Sequence, residues 1–313
     1  MTPNNTTLPR ISIVTPSFDQ AAFLEPSIRS VLDQDYPDLE YILIDGASDD
    51  GSQKIIEKYA SRFTYWVSEP DKGQADAINK GFSRATGEIL AWLNSDDVYL
   101  PGAFQRVAAF FASHPGIGLL YADLHSIDYA GRHFNTITYA PYTLADLLAF
   151  RIIGQPSVFF RRSLLDSAGL LDLSYRYLLD HHLWIRLASQ TEMHYLPQPL
   201  AAARHHPAAK NVAEAAAFGE EVYRILDWTR SQPDLQPIIA SQSRRVLGGA
   251  HRLNARYLLD GGLPAESLKF YAKAFMQDPL YTLRHAHRIL FALLSLLGLG
   301  WLAKVYIRRD VQN

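Results

Sequence analysis

The 313-residue chain contains no cysteine. That excludes disulfide frameworks, zinc–thiolate and iron–sulfur sites and thiol nucleophiles, and leaves any metal to oxygen or imidazole ligands. An excess of one charge sign is also missing. Thirty Lys and Arg face 32 Asp and Glu, a formal net charge of −2, where a general nucleic-acid binder carries a basic excess. The start, Met1 to Arg10, is polar and lacks the apolar core of a secretory signal, so a cytoplasmic location is the expectation. No Gly-x-Gly-x-x-Gly follows the first apolar strand and no Gly-Lys-Ser/Thr phosphate loop occurs. This removes the sequence grounds for a dinucleotide dehydrogenase or a P-loop NTPase. Apolar types make up 48% of the chain and aromatics 12%, which excludes a largely disordered protein.

The first hundred residues alternate between two periods. Ile11–Val14, Glu40–Asp45, Phe63–Val67 and Glu88–Leu93 read as short apolar strands. Between them lie amphipathic helices carrying Ile28, Val31 and Leu32, then Ile55, Ile56 and Tyr59, then Ala75, Ile78 and Phe82, with Pro26 expected near the first turn of the first helix. Strand–helix alternation with short links predicts an α/β fold, a doubly wound and mostly parallel sheet covered on both faces. Beyond Pro101 the pattern loosens, with strands expected at Ile117–Ala122 and Ser157–Arg161 and a helix around Asp180–Ala188, and Pro197, Pro199 and Pro207 punctuate the end of this region. From about Asn211 the chain reads as helical, so two parts are expected: residues 1–210 and a helical appendage, 211–313. Leu253–Asp260 and Pro264–Asp278, joined at Gly261-Gly262, resemble a single tetratricopeptide-type hairpin; with no second copy, an ordinary helical appendage is the better reading.

In open α/β sheets, ligands bind outside the carboxyl ends of the strands. Those ends carry Thr15-Pro16-Ser17, then Asp45 to Gly51, then Glu69 to Gln74 with Asp76 and Asn79 just inside the next helix, then Asn94-Ser95-Asp96-Asp97. Each loop alone also suits an ordinary turn or helix cap. Together they gather polar and acidic groups on one edge. Adjacent carboxylates at Asp96 and Asp97 repel one another unless a cation lies beside them, and hard oxygen ligands favour Mg²⁺ or Mn²⁺, typically shared with a diphosphate.

The stretch from Ile11 to about Asn211 resembles a family 2 glycosyltransferase of the GT-A fold. The resemblance rests on Ile13–Ser17, Ser30–Pro37, Ile44–Ser52, Ser68–Gln74 and Ala85–Glu88 running into Leu93–Asp97. It is most similar to the branch that builds bacterial O-antigen and other surface polysaccharides. The resemblance implies that Thr15, Pro16 and Ser17 line the nucleotide base pocket, that Asp45 bonds the base, and that Lys72 and Asp76 stand at the base or ribose rim. Asn94-Ser95-Asp96 occupies the family's Asp-x-Asp position with Asn94 in place of the first acid. Asp96 is then the metal ligand for Mn²⁺ or Mg²⁺, Ser95 a ribose neighbour, and Asp97 a further candidate for the metal shell. Asp180 falls at the catalytic base, ahead of Leu183 and Arg186, with His182 where many relatives carry another acid. Arg204 and His206 match an Arg-x-His near the diphosphate and metal. Gln155 keeps half of a His-Gln pair whose His is replaced by Gly154. Trp66 and Trp92, within strands, read as core, whereas Trp184 lies close to the implied base.

The implied activity is inverting, non-processive transfer of a sugar from a nucleotide-sugar, UDP first, to a hydroxyl of a glycan or lipid-linked glycan. A processive synthase is disfavoured by the lack of several spanning helices and of a Gln-x-x-Arg-Trp segment. A metal-dependent nucleotidyltransferase or sugar-nucleotide hydrolase could also use an acidic strand end without needing Asp180. A non-catalytic scaffold on a degenerate transferase fold is the other alternative. Ile289–Ala303 carries no charge and is flanked by Arg284, His285, His287 and Arg288 before it and Lys304, Arg308 and Arg309 after it. The run falls short of the ~20 apolar residues of a spanning helix. It suits either a membrane-surface contact through residues 284–309, peripheral on the cytoplasmic face of the inner membrane, or a helix buried on the appendage.

Overall fold

Ile11–Ser17 forms β1, buried at every residue, in a computed structural model that describes residues 8–206 and 213–299. It sits between β2 (Leu39–Asp45) and β4 (Ile89–Trp92), parallel to both, and β3 (Tyr65–Ser68) pairs parallel to β2 at the edge. Strands buried on both faces read as continuous apolar runs, which is why this half was visible as strand–helix alternation. The connecting helices are α1 (Ala21–Leu32), α2 (Ser52–Lys58) and α3 (Gln74–Phe82). Helix α1 starts earlier than Pro26 suggested: proline is its sixth residue, and the first N–H, of Ala21, is received at 2.8 Å by the Asp50 carboxylate from across the chain. A cap supplied from a distant loop leaves no local signal.

The sheet continues through β5 (Val98–Tyr99), β6 (Ile117–Ile127), β7 (His133–Ile137), β8 (Val158–Arg161) and β9 (Glu192–Arg204), with α4 (Ala103–Ser113) between β5 and β6. Among the described residues the order is β3-β2-β1-β4-β8-β6-β9-β5, with β7 beside β6. Strand β8 runs antiparallel to β4 and β6, β7 antiparallel to β6, β5 antiparallel to β9, and β6 and β9 parallel to each other. The sheet is thus parallel in its first half and mixed in its second. Pro197 and Pro199, expected to end this region, lie inside the 13-residue β9. The β6–β9 register shifts around Asp123, which faces Pro199, and such an irregularity accommodates a residue without an N–H. Helices α6 (Ser163–Ala168) and α7 (Leu179–Ala188) follow β8.

By contacts the chain divides into two units. The first comprises the described residues to Tyr142 and Ile153–His205; the second comprises Thr143–Ile152 and the described residues from His206 on. Thr143–Ile152, expected within the first part, therefore joins the helical one. The reason is local chemistry. Thr143 and Asp146 close a capping box on α5 (Leu144–Leu148), Asp146 pairs with Arg245, Arg252 donates to the Phe150 carbonyl, and Gly249 leaves room for the Ala149 backbone. The second unit continues through α8 (Phe218–Ser231), α9 (Gln236–Ser241), α10 (Ser243–Asp260), α11 (Pro264–Gln277), α12 (Pro279–Leu283) and α13 (Ala286–Leu296). Helices α10 and α11 form the hairpin read at Gly261-Gly262. Lys210, Trp301, Lys304, Tyr306, Arg308 and Arg309 lie outside the described residues.

Candidate active site

Register brings Ser17, Asp45 and Ser68 level across the ends of β1, β2 and β3. Asp45 is fully buried there. Its carboxylate receives Ser48 N–H at 3.0 Å, Ser48 Oγ at 2.6 Å and Ser68 Oγ at 2.6 Å. Three donors from the chain itself hold this carboxylate to the ends of β2 and β3, so the expected bond from Asp45 to a base gives way to a structural role. Thr15 is corrected likewise: it is buried, and its hydroxyl meets Tyr41 Oη at 3.1 Å within the core. Pro16 is buried beside it. Ser17 is 3% exposed and its Oγ has no hydrogen-bond partner, a buried polar atom of the kind a ligand can satisfy.

Gly46, just past Asp45, explains the placing of a residue that the sequence names only as part of the loop Glu69 to Gln74. A Cβ at Gly46 would stand 2.8 Å from Asp71 Oδ2 and 3.1 Å from the Phe18 ring. The missing side chain makes room for Asp71, whose Oδ1 accepts Gly73 N–H at 2.7 Å, beside Phe18, which is 61% exposed. A carboxylate and an open aromatic face thus flank the end of β2. The sequence signal was the glycine itself, in a strand-end loop where backbone or side chains approach closely.

Lys72 is exposed, and its N–H donates to Asp76 in the first turn of α3. Asp76 also stands 3.7 Å from Lys80, which pairs with Glu69 at 2.9 Å. Glu69, Asp76 and Lys80, with Tyr65, Asn79 and Arg84 but not Lys72, line a cavity of about 460 Å³ between β3 and α3. Asn79 exchanges two hydrogen bonds with the Leu171 backbone, at 2.8 and 2.9 Å, and so ties the loop before α7 to α3.

The turn after β4 explains the departure at Asn94. Its side-chain oxygen accepts from Gln74 at 2.7 Å while its amide donates to Asp97. A carboxylate there would repel Asp97. Asp97 is 6% exposed and accepts Arg204 N–H at 2.9 Å; burial first, then the charge of Asp96, pushes its carboxyl well above the usual range. Asp97 therefore faces inward and braces the turn, which corrects its place in the metal shell. Ser95 is buried and Asp96 half-buried. Arg204 lies against the same turn. Its Nε donates to the Asp96 carbonyl at 2.9 Å, its Nη1 to the Asp128 and Tyr129 carbonyls, both at 3.1 Å, and its guanidinium covers Phe23. Through these bonds it positions the Asp96–Asp97 turn. His206 is buried and belongs to the second unit.

Among the described residues no three His, Asp or Glu side chains gather into a metal-holding group. Asp96 offers a hard oxygen donor of the kind Mg²⁺ and Mn²⁺ take, and a divalent cation held there would draw its other ligands from a bound diphosphate and water. The donor chemistry fits a cation shared in this way, and such a cation would relieve the repulsion between Asp96 and Asp97.

Asp180 is the second residue of α7, half-buried, and accepts His181 N–H at 2.7 Å. Helix α7 is fixed beneath the sheet by Trp184, which is fully buried and stacks on Trp92 of β4 at 5.0 Å with 24° between the planes. Neither indole N–H has a hydrogen-bond partner, so the pair is held by packing. Trp184 is core, as Trp92 is; Trp66 is partly buried against the same core as β1 and β2. Arg186 holds the carbonyls of Ala168 and Leu170. Gln155 is buried and donates to the Trp92 carbonyl at 2.7 Å. At Gly154 a Cβ would meet the tips of two side chains, Leu124 Cδ2 at 2.6 Å and Tyr139 Oη at 2.7 Å. The turn after β4, the start of α7 and Gln155 are thereby linked through Trp92.

Residues 12–166 match the model of the family described as Glycosyl transferase family 2. A PGL/p-HBAD biosynthesis glycosyltransferase of Mycobacterium tuberculosis is 33% identical over 185 residues, 58% of this chain and 70% of that one. The O-antigen biosynthesis protein RfbC of Myxococcus xanthus is 31% identical over 207 residues, 64% of this chain but 16% of the relative. The chain belongs to glycosyltransferase family 2 and is a glycosyltransferase, with relatives that serve O-antigen and PGL/p-HBAD biosynthesis. Its GT-A-type fold is shared with S. aureus TarS 1–349, at TM-score 0.62 and 16% identity over 96% of this chain and 90% of that one. It is shared also with the mannosyltransferase PcManGT of Pyrobaculum calidifontis, at TM-score 0.61 and 18% identity over 98% and 88%.

Proposed function

We propose that the chain transfers a sugar, with inversion and without processivity, from a UDP-sugar to a hydroxyl of a glycan or lipid-linked glycan in surface polysaccharide synthesis. The observation that carries this reading is the fixed pairing of the Asn94–Asp97 turn with the start of α7 through the Trp92–Trp184 stack. A donor-side carboxylate, Asp96, and a base, Asp180, are thereby carried on rigid elements. TarS has been solved with UDP-GlcNAc and PcManGT with GDP-Man and Mn²⁺, which supports a nucleotide-sugar donor and a divalent cation here.

In this reading the nucleotide base is received at Gly46 between Phe18 and Asp71, with Ser17 and Ser95 beside the nucleoside and Lys72 and Asp76 at the rim. Asp96 holds Mn²⁺ or Mg²⁺, which when bound stabilises charge on the departing diphosphate. Asp180 accepts the proton of the acceptor hydroxyl as its oxygen bonds to the anomeric carbon from the face opposite the leaving diphosphate. One displacement inverts that centre. The two-part organisation and a peripheral membrane contact through residues 284–309 belong to the same reading.

Asp180→Asn tests it. Transfer falls roughly 10²–10⁴-fold, the range for a lost general base, while UDP affinity stays that of the native chain. Near-native transfer by this variant removes Asp180 from the role. Acceptor-independent release of sugar as the main product assigns the chain to a sugar-nucleotide hydrolase instead.

A further inference from the structure

Leu280 and Leu283 on α12 are 82% and 52% exposed. On α13 and its C-cap, Leu290, Leu293 and Leu297 follow at a spacing that puts them along one face, each 47% exposed or more. Of the residues of α13 only Ala292 is buried. The described part of the second unit thus ends on an uncovered leucine ridge, continuous in sequence with the uncharged run to Ala303.

Arginines gather at Tyr281 of α12, and of these Arg151 pairs with Asp146 at 3.3 Å. The guanidinium groups of Arg151, Arg252 and Arg284 lie 4.9, 5.4 and 5.8 Å from the centroid of a single ring, Tyr281. Arg252 is 6% exposed, donates to the Phe150 carbonyl at 2.6 Å, and its Nε has no hydrogen-bond partner. Among the described residues neither Arg252 nor Arg284 has an ion pair with a carboxylate, and Arg256 and Arg288 share Asp260, at 3.6 and 2.9 Å. Burial, then Arg252, Arg288, His287 and Arg256, push the His285 imidazole down to about 3, so it stays neutral among these cations. A buried guanidinium without a counter-charge is strongly destabilising unless an anion compensates it.

We propose that α12 and α13 seat the protein on an anionic phospholipid surface, the leucines entering the headgroup layer and Arg284 and Arg288 taking lipid phosphate, with Arg252 adding its uncompensated charge behind them. This deepens the membrane contact and rests on that part of the proposed function. A ridge of leucines bordered by basic side chains is the pattern of a helix lying in the interface. A second copy of the chain on the same face would set these cations against their own images. The remaining tail brings Lys304, Arg308 and Arg309, the same sign again.

Co-sedimentation of the full chain with vesicles tests the proposal. The chain binds phosphatidylcholine vesicles containing phosphatidylglycerol, remains free with phosphatidylcholine alone, and is released by salt. Arg284→Glu weakens that binding roughly tenfold or more. Leu280→Glu with Leu283→Glu also abolishes most of it, and both variants bind UDP as the native chain does. Equal binding to the two vesicle types, no binding to either, native-like binding by both variants, or a concentration-dependent dimer in place of vesicle binding each overturns the proposal. A chain that binds anionic vesicles yet turns over no nucleotide-sugar keeps this inference and loses the transferase mechanism, so the two failures are read separately.

Discussion

In the first unit the buried carboxylate Asp45 collects three hydrogen bonds from its own chain, whereas in the second unit the buried Arg252 makes one and has no carboxylate among the described residues. Residues 1–203 hold 23 acidic against 15 basic side chains, and residues 204–313 hold 9 against 15. The near-neutral total therefore hides an acidic part and a basic part. The difference teaches how to separate reactive charge from structural charge. A buried charge that the chain satisfies orders the backbone, while a charge the chain leaves half-open or uncompensated points toward a ligand. Arg252 in the helical unit belongs to the second kind.

Packing divides the two regions as sharply as charge does. Trp184 is fully buried against Trp92, Phe160 and the sheet, while Leu293 of α13 is 47% exposed. Trp184→Ala should cost about 3–5 kcal/mol in denaturant unfolding and loosen α7 under Asp180. Leu293→Ala should stay within about 0.5 kcal/mol. A large loss from Leu293→Ala would show that the ridge is covered within the protein and would break the contrast.

A smaller effect sharpens it on the acidic side. The folded-state carboxyl of Asp97 is raised by burial and by Asp96, so its contribution to stability is complete below the unfolded value and is lost as pH rises through the folded value. Asp97→Asn removes that loss while keeping an oxygen to accept Arg204 N–H. Its thermal stability without metal should match the native chain at acid pH and exceed it toward neutral and alkaline pH, by on the order of 1 kcal/mol. A gap that narrows as pH rises contradicts the inward, charge-strained placement of Asp97.

Much of this was legible in the sequence, and for identifiable reasons. Strands β1 to β4 are apolar on both faces and the helices between them have one apolar stripe, so local patterning alone exposed the parallel half of the sheet. The mixed half was harder. Its longest strand, β9, carries two prolines that are tolerated because the β6–β9 register is irregular where they lie, a pairing no local pattern reveals. The site residues split along the same line. Asp96 and Asp180 stand at recognisable motif positions, and their roles are those proposed above. The hydrogen bonds of Asp45 depend on Ser68, 23 positions away, and those of Arg204 on carbonyls about 75 and 108 positions away, which no local pattern reveals. Asp71 stands out from the loop Glu69 to Gln74 only in the structure, because its position is explained by an absence, the missing side chain of Gly46.

The most direct test of the central claim is a calorimetric titration of UDP, with and without Mn²⁺, into the native chain and Asp96→Ala. Mn²⁺ should raise the affinity of the native chain for UDP and leave that of Asp96→Ala unchanged, while thermal unfolding of the metal-free proteins shows both folded. Equal Mn²⁺ enhancement in the two proteins would contradict the assignment of Asp96 and, with it, the reading of the β4 turn as the donor end of the site.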